Sequence, residues 1–284
     1  MKTIGIIGNG FVGSAIASGF GLHADIKIYD IDPLRSTHTF EEVVSSEFVF
    51  VSVPTPMNAS DENKIDLSIM EQVFSKISDY NQDNPHNDSV YILKSTVVPG
   101  TTQSLADKFP NIDLVFNPEF LTERSARLDF INASRVVLGG SRKAVKRTAE
   151  LYRDRFPFVT IVETDTSSAE FIKYMCNCFF ATKVSFMNEM RQAVDVLGLD
   201  WEKIMNGFVT DGRIGNSHLD VPGHDGSLGF GGKCFPKDIN AFINFFKDSS
   251  VEPTVMTAAW EKNLEVRKNQ DWLKIKGAVS KKKK

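Results

Sequence analysis

Short runs of apolar residues alternate with helical patterns along the first half of the chain. Continuous apolar runs are typical of strands that helices cover on both faces of a sheet. We therefore predict strands at Thr3–Ile7, Ile26–Tyr29, Phe48–Val53, Val90–Leu93, Leu114–Phe116 and Arg135–Leu138. The alternation predicts an α/β fold with a doubly wound parallel sheet.

The pattern changes after residue 164. Asp165–Leu197 contains no proline or glycine, and its apolar residues recur at helical spacing, so we predict one long helix. Thr164 or Asp165 suits the N-cap, and Gly198 suits the end. Shorter helices are predicted at 237–247 and 253–273. The expected domains are a dinucleotide-binding domain at 1–164, a helical domain at 165–275 and a basic tail at 276–284.

A glycine-rich turn follows the first predicted strand, with the sequence Gly8, Asn9, Gly10, Phe11, Val12, Gly13. In this pattern the glycines permit a tight turn, a close approach of backbone to pyrophosphate and close packing of helix on strand. The second strand ends at Asp30, where an acid binds ribose hydroxyls and favours NAD over NADP. Arg35 could contact the phosphate side of the adenosine, so the preference for NAD over NADP stays open. The sequence predicts a Rossmann-like domain that binds NAD.

Cys234 lies in a second glycine-rich segment, with the sequence Gly-Phe-Gly-Gly-Lys-Cys-Phe-Pro-Lys-Asp from Gly229 to Asp238. Pro236 suits the first turn of a helix, and two lysines flank the cysteine. A helix N-terminus and nearby cations both favour the thiolate form of a cysteine. Free cysteines are more often small buried apolar residues, but a buried core explains none of these neighbours. We predict that Cys234 is a nucleophile.

Other polar residues stand where ligands bind. Lys173 and Asn177 share one face of the long helix, where they could polarise a substrate oxygen or simply be a snorkelling lysine and a satisfied amide. Further candidates follow the predicted strands, where ligands of open α/β sheets bind, although each could be an ordinary surface residue. These are Thr55, Thr96, Glu119 and Glu123.

Composition excludes several classes of protein. The 284 residues are 42% hydrophobic and 24% charged, as in ordinary globular proteins, and the net charge of −3 offers no broad basic surface for nucleic acid. No stretch approaches the ~18 apolar residues of a membrane span. Three cysteines without a secretory signal indicate a reducing compartment, so we expect a cytoplasmic protein without a metal site. Cys176 and Cys178 are interpreted as packing residues.

Together these segments resemble the UDP-glucose/GDP-mannose (nucleotide-sugar) 6-dehydrogenase family. The motifs that carry the resemblance occur in order across nearly the whole chain: G-N-G-F-V-G, V-P-T-P, K-S-T-V-V-P-G-T-T, N-P-E-F-L-T-E, the helix with Lys173 and Asn177, and G-F-G-G-K-C-F-P-K-D. The resemblance implies a two-step, NAD-dependent oxidation of the C6 alcohol of a nucleotide sugar to a carboxylate, with UDP-glucose as the default substrate.

The resemblance also implies roles for individual residues. Cys234 would form a thiohemiacetal and then a thioester, Lys173 and Asn177 would stabilise the alkoxide, and Glu119, Thr96 and Asp238 would activate water. It implies cofactor contacts from Gly8, Asn9, Gly10, Phe11, Val12, Gly13, Asp30, Arg35, Thr55, Thr96, Glu123 and Lys237. It implies substrate contacts from Glu119, Phe120, Leu121, Lys173, Asn177, Arg213, Phe230 and Gly231. A homodimer is implied through the long helix, with Arg213 reaching the neighbouring subunit.

Two departures from the family pattern leave alternatives open. Arg124 replaces a common glycine, and family members usually continue into a third, nucleotide-enclosing domain at the point where this sequence ends. We therefore expect a short form of the enzyme. The alternatives are an NAD-binding fragment that needs a separate C-terminal partner, and a two-domain dehydrogenase of a smaller hydroxy substrate.

Overall fold

A computed structural model describes residues 1–58, 64–275 and 277–280. The chain divides into a first unit, Met1–Thr55 with Leu67–Lys173, and a second unit, Pro56–Asp66 with Tyr174–Lys284. The division falls inside the long helix. The domain boundaries predicted after residues 164 and 275 stay predictions, and the Lys281–Lys284 run lies outside the described residues.

The elements are as follows. The strands are β1 Lys2–Ile7, β2 Ala24–Tyr29, β3 Phe48–Val51, β4 Met57–Asn58, β5 Lys64–Ile65, β6 Val90–Leu93, β7 Asp113–Phe116, β8 Arg135–Gly140 and β9 Thr160–Thr164. The α-helices are α1 Phe11–Phe20, α2 Phe40–Val44, α3 Ser68–Asp83, α4 Thr101–Lys108, α5 Ala126–Ile131, α6 Arg142–Arg155, α7 Thr166–Leu197, α8 Trp201–Phe208, α9 Phe235–Asp248 and α10 Thr254–Val266.

The first unit is built on a seven-stranded sheet of order β2-β1-β3-β6-β7-β8-β9. Successive strand residues contribute to two different buried clusters: Phe48 and Phe50 pack in one, and Val49 and Val51 in the other. Both faces of the sheet are therefore covered, which explains why the strands read as continuous apolar runs. The predicted α/β class is confirmed.

Two features of the sheet differ from the sequence expectation. β8 pairs with β7 antiparallel, while the other neighbouring strands are parallel. A buried apolar run carries no information about strand direction, so the reversal could not be inferred. β9 was not predicted because exposed Thr160 and Glu163 interrupt its apolar character at the edge of the sheet.

The prediction of one long helix is confirmed by α7, whose 32 residues span about 48 Å. Asp165 caps it by accepting the Ser168 N–H at 2.8 Å, and Gly198 follows with a φ of +65°. The predicted 253–273 helix is too long, because α10 ends at Val266 and residues 271–273 form a separate 3₁₀ turn. Arg267 adopts an extended backbone there.

A buried carboxylate near the start of α7 fixes the beginning of α4. Glu170 accepts hydrogen bonds from the Gly100 N–H at 2.6 Å, the Thr102 N–H at 2.7 Å and the Thr102 hydroxyl at 2.5 Å. Backbone N–H groups at a helix start have no partner within the helix, so Glu170 satisfies donors that would otherwise be buried unpaired. Burial raises the pKa of Glu170 to about 7, although these hydrogen bonds oppose the shift.

In the part of the chain that the structure describes, no helix is both long enough and apolar enough to cross a membrane.

Glu170→Ala is expected to lower the free energy of unfolding by about 1–3 kcal/mol, because it leaves buried donors unpaired. The folded protein holds a proton on Glu170 between pH 4.5 and about 7, so this group's contribution falls as the pH rises through that window. The loss should therefore be larger at pH 5 than at pH 8 in urea unfolding.

Glu163→Ala, which removes an exposed ion pair with Arg153, is the control and should change stability by less than about 1 kcal/mol. Equal effects of the two variants would contradict this account.

Candidate active site

The first glycine-rich turn connects β1 to α1. A Cβ on Gly8 would lie 2.6 Å from the Ser52 carbonyl oxygen, and one on Gly13 would lie 2.1 Å from the Gly8 carbonyl oxygen. Both positions therefore require glycine. Gly8 also has a φ of +92°, which disfavours any side chain. A Cβ on Gly10, at the N-cap of α1, would meet no atom within 4 Å, so this side of the turn is open to a ligand.

Asp30 completes this turn at the end of β2. Its carboxylate accepts the Asn9 N–H at 2.7 Å and the Asp32 N–H at 2.9 Å. The Asn9 amide in turn donates to the Arg35 carbonyl oxygen at 2.9 Å, while the exposed Arg35 guanidinium pairs with Asp32 at 3.5 Å. Asp30 follows the second strand as the sequence predicted, and these hydrogen bonds hold it against the glycine turn.

These residues fit a dinucleotide. The positive end of α1 faces the open side of the turn at Gly10, which suits a pyrophosphate, and the Asp30 carboxylate suits ribose hydroxyls. Thr55 and Thr96, both predicted at the cofactor, are joined by a hydrogen bond from the Thr55 hydroxyl to the Thr96 carbonyl oxygen at 3.0 Å. Phe11 and Val12 pack against the core of the sheet. Glu123 is exposed.

A buried ion pair joins α7 to the segment after β7 in the first unit. The Lys173 ammonium lies 2.9 Å from Glu119 Oε1 and 2.6 Å from the Glu119 carbonyl oxygen, and the two side chains are only 3% and 7% exposed. The second carboxylate oxygen accepts the Leu121 N–H at 2.7 Å. Lys173 also lies 5.4 Å from the centroid of the Phe120 ring. The structure thus brings together four residues that the sequence predicted for catalysis or substrate binding.

Lys94 is a further buried cation that the sequence interpretation left without a role. It follows β6, and its ammonium donates to Asn117 Oδ1 at 2.9 Å and to the Pro118 carbonyl oxygen at 3.3 Å. Burial, followed by the charge of Lys173, lowers the pKa of Lys94 to about 7, and Glu119 opposes the shift. One feature of the sequence could have drawn attention to Lys94: it is a lysine directly after a strand of four apolar residues.

The second unit holds Cys234 at the start of α9. Cys234 is the N-cap residue, it is partly exposed, and its carbonyl oxygen accepts the Asp238 N–H at 2.8 Å. Asp238 is buried, where its carboxylate accepts the Asn177 amide at 2.6 Å and pairs with Lys237. The predicted position of Cys234 at a helix N-terminus is confirmed, and Asn177, Lys237 and Asp238 are in direct contact. Burial raises the pKa of Cys178, in agreement with a packing role for that cysteine.

Four side chains hold the glycine-rich loop before Cys234. Asn263 of α10 accepts the Phe230 N–H at 2.7 Å and donates to the Phe230 carbonyl oxygen at 3.1 Å. The loop is held further by Asn188, Arg267 and Asp271, which bind the backbone of Gly229, Leu228 and Gly232 respectively. Sequence reasoning missed Asn263, Arg267 and Asp271. The only sign of them in the sequence is polar residues at helical spacing. Such a pattern is also typical of an ordinary amphipathic helix, so it did not single them out.

The remaining predicted residues differ in their surroundings. Phe230 is buried and Gly231 partly so; a Cβ on Gly231 would meet the Arg267 guanidinium and Asp271. Arg213 is exposed and forms an ion pair with Asp211 at 2.5 Å. Among the described residues, no group of three or more His, Cys, Asp or Glu side chains could hold a metal ion.

A dinucleotide turn on a wound sheet, followed by a helical unit that presents a cysteine at a helix start, defines the class of nicotinamide-dependent dehydrogenases. Residues 31–156 match the NAD-binding domain of the UDP-glucose/GDP-mannose dehydrogenase family, and residues 167–265 match its central domain. The chain belongs to this family. The expected family and the expected cofactor, NAD, are confirmed.

Named relatives agree with an NAD-dependent oxidoreductase. UDP-glucose 6-dehydrogenase AglM of Haloferax volcanii is 30% identical over 92% of this chain, and TuaD of Bacillus subtilis, also a UDP-glucose 6-dehydrogenase, is 34% identical over 78%. The solved UDP-glucose dehydrogenase of Pyrobaculum islandicum superposes with a TM-score of 0.82 at 27% identity, covering 93% of this chain and 68% of that one. The chain spans 69% of the length of the Haloferax protein but only 47% of the Bacillus protein.

A shorter protein shares the fold. The 3-hydroxyisobutyrate dehydrogenase of Mycobacterium tuberculosis superposes with a TM-score of 0.73 over 93% of both chains, at 14% identity. This similarity concerns the fold alone.

Asn263→Leu is expected to lower the free energy of unfolding by about 1–3 kcal/mol, because the buried N–H and carbonyl groups of Phe230 lose their partner. Urea unfolding measures the change. Glu261→Leu, at an exposed position of the same helix, is the matched control and should stay within about 0.5 kcal/mol of the wild type. A stability of Asn263→Leu equal to that of the control would contradict the role of Asn263 in holding the loop.

Proposed function

We propose that this protein oxidises the C6 alcohol of a nucleotide sugar, UDP-glucose by default, to the uronic acid with NAD as the hydride acceptor. The observation that carries the proposal is Cys234 at the N-terminus of α9, one turn before a buried Asp238 that Asn177 and Lys237 hold. A dehydrogenase that stops at an aldehyde or ketone has no use for a cysteine in that position. Oxidation of an aldehyde by hydride loss requires a nucleophile that converts it to a tetrahedral adduct.

In the proposed sequence, the C6 hydroxyl loses its proton and C6 loses a hydride, which gives the aldehyde. The Cys234 thiolate adds to the aldehyde carbon, and the resulting thiohemiacetal loses a second hydride and becomes a thioester. Water then cleaves the C–S bond, which yields the carboxylate and restores the thiol. Both hydrides go to NAD, so two NADH form for each sugar.

The side chains around these steps suit the charges that develop. Lys173 and Asn177 are proposed to stabilise the alkoxide of the first step, since an ammonium and an amide both donate hydrogen bonds to an oxyanion. Glu119, Asp238 and Thr96 are proposed to orient and deprotonate the water that releases the acid. Phe120, Leu121, Phe230, Gly231 and Arg213 are proposed as further contacts to the sugar nucleotide.

The cofactor contacts are proposed along the first glycine turn. The turn that Gly8, Gly10 and Gly13 form would hold the pyrophosphate on its open side at Gly10. Asp30 would bind the adenosine ribose, where its charge would repel a 2′-phosphate. The remaining proposed contacts are Asn9, Phe11, Val12, Arg35, Thr55, Thr96, Glu123 and Lys237. Because the mechanism needs Cys234 as a free thiol, a reducing compartment, the cytoplasm, is the proposed location.

We also propose a homodimer through α7. Phe171, Met175, Phe179 and Phe186 recur at near-helical spacing, and all four are exposed, the last three by 50% or more. A row of large apolar side chains on one long helix is typical of a protein interface. The exposed Arg213 is the proposed contribution of one subunit to the site of its partner.

Two other functions remain as candidates. One is a fragment that binds NAD but needs a separate C-terminal partner for turnover. The other is a two-domain dehydrogenase of a smaller hydroxy substrate.

A panel of nucleotide sugars with NAD, read by NADH absorbance, tests the proposal. We expect about two NADH per sugar consumed for the wild type, because the thioester route removes two hydrides. Cys234→Ser should give at most one NADH per sugar and lose at least about a hundredfold in uronate formation. Cys176→Ser, which changes a cysteine outside the proposed machinery, is the control and should keep the stoichiometry of two.

The outcomes separate the candidates. One NADH per turnover of a small hydroxy acid, with no effect of Cys234→Ser, would favour the smaller-substrate dehydrogenase and exclude the uronate route. NAD binding without turnover would favour the fragment.

The dimer is tested by Met175→Glu with Phe179→Glu, which places two charges on the exposed row of α7. Light scattering after size-exclusion chromatography should change from the mass of two chains to that of one, because desolvating unpaired carboxylates opposes association. Phe158→Glu changes another apolar residue, 99% exposed and outside α7, and should leave a dimer. A wild-type protein that runs as a monomer would exclude the dimer.

A further inference from the structure

Three ionisable side chains of the first unit lie in one buried cluster: Lys94, Lys173 and Glu119. Each is less than 10% exposed. Lys173 pairs directly with Glu119 at 2.9 Å, whereas Lys94 reaches the two residues that precede Glu119, through Asn117 Oδ1 and the Pro118 carbonyl oxygen. Lys94 therefore contacts the backbone segment that carries the proposed water-activating carboxylate.

Asn117 is fixed from three sides. Its Oδ1 accepts Lys94 and the Tyr152 hydroxyl of α6, the latter at 2.6 Å, and its amide donates to the Val137 carbonyl oxygen at 2.8 Å. The hydrogen bond from Lys94 to Asn117 is therefore part of a buried hydrogen-bond network, in which the other bonds fix the position of the acceptor.

The charges of the cluster do not balance if both lysines are protonated. Two ammonium groups and one carboxylate leave a net positive charge in a buried site, which desolvation disfavours. One protonated lysine and one carboxylate would be neutral. Lys173 contacts the carboxylate directly, whereas Lys94 donates to an amide oxygen and a carbonyl oxygen, both neutral.

We propose that Lys94 is a positioning residue that holds the Asn117–Glu119 segment and sets the net charge of the buried cluster that it forms with Glu119 and Lys173. The effect on catalysis rests on the proposed function. The charge state of Lys94 does not depend on it.

The sign of the effect follows from the groups that face Lys94. Glu119, after β7, favours its protonated form, and Lys173, on α7, disfavours it; the Tyr152 phenol of α6 acts through Asn117. Below pH 7 a protonated Lys94 adds a positive charge beside the Glu119–Lys173 pair, and above pH 7 a neutral Lys94 adds none.

Unfolding measures the charge state without any activity. The pKa of Lys94 is about 7 in the folded protein against 10.5 for an ordinary lysine, so the unfolded chain binds more protons between these values. Folding then gains stability as the pH rises, up to about tenfold in the unfolding constant per pH unit. We expect Lys94→Met to abolish this gain between pH 7.5 and 9.5. Lys143→Met, at an exposed lysine of α6, should retain it. The same pH dependence in both variants would overturn the proposal.

A measurement on the wild type covers the case in which Lys94→Met does not fold. In protein labelled with ¹³C at lysine Cε, we expect one lysine resonance to titrate with a midpoint near pH 7, well below the others. A spectrum in which every lysine titrates above about pH 9 would exclude a neutral Lys94.

The pH dependence of uronate formation tests the catalytic part. Lys94→Met should move the acidic limb of the rate profile up by about one pH unit or more, because Glu119 loses a nearby cation, and should leave the basic limb in place. Lys94→Arg, with a permanent charge, should move only the basic limb, to lower pH. Parallel loss of rate at every pH would indicate a structural role alone and overturn this part. If the wild type forms no NADH with any sugar, the proposed function fails, while the unfolding and labelling experiments still decide the charge of Lys94.

Discussion

Pairing of buried charges is the constraint on which the packing inside each unit depends. A carboxylate or an ammonium taken out of water is tolerated only when specific partners replace the lost solvation. In the first unit Lys173 meets this requirement on Glu119. In the second unit Asp238 meets it on Asn177 and Lys237. Both pairings tie a helix to another segment that carries a proposed functional residue, so folding and site assembly use the same contacts.

The sequence predicted the parts of the fold that arise from local rules. Six strands of the main sheet, α7 and its Asp165 and Gly198 termini follow from apolar periodicity and capping, which depend on residues close together in the chain. The antiparallel pairing of β8 with β7 did not follow, because strand direction depends on how the chain returns to the sheet. The end of α10 at Val266 was missed for a related reason: Arg267 forms ion pairs with Asp225 and Asp271, and no local breaker marks the position.

The candidate site likewise contains residues that could be located from the sequence and residues that could not. Motifs with a mechanism of their own, such as the glycine turn with Asp30 and the segment around Cys234, were located from the sequence. Lys94 and Asn263 were not assigned, because a lone lysine after a strand and an asparagine on an amphipathic helix acquire meaning only from partners far away in the chain. Asn263 binds Phe230, 33 residues earlier. The residues missed are those that support other residues and have no motif of their own.

The backbone bond from the Asp238 N–H to the Cys234 carbonyl oxygen has an evolutionary consequence. This bond places the Cys234 and Asp238 side chains one helical turn apart, so the geometry of the proposed nucleophile and the carboxylate depends on the number of residues between them. One inserted residue between them would turn Asp238 by about 100° and advance it by about 1.5 Å. That would remove its carboxylate from the Asn177 amide. Variation in length among relatives of this chain should therefore be absent from the first turn of α9.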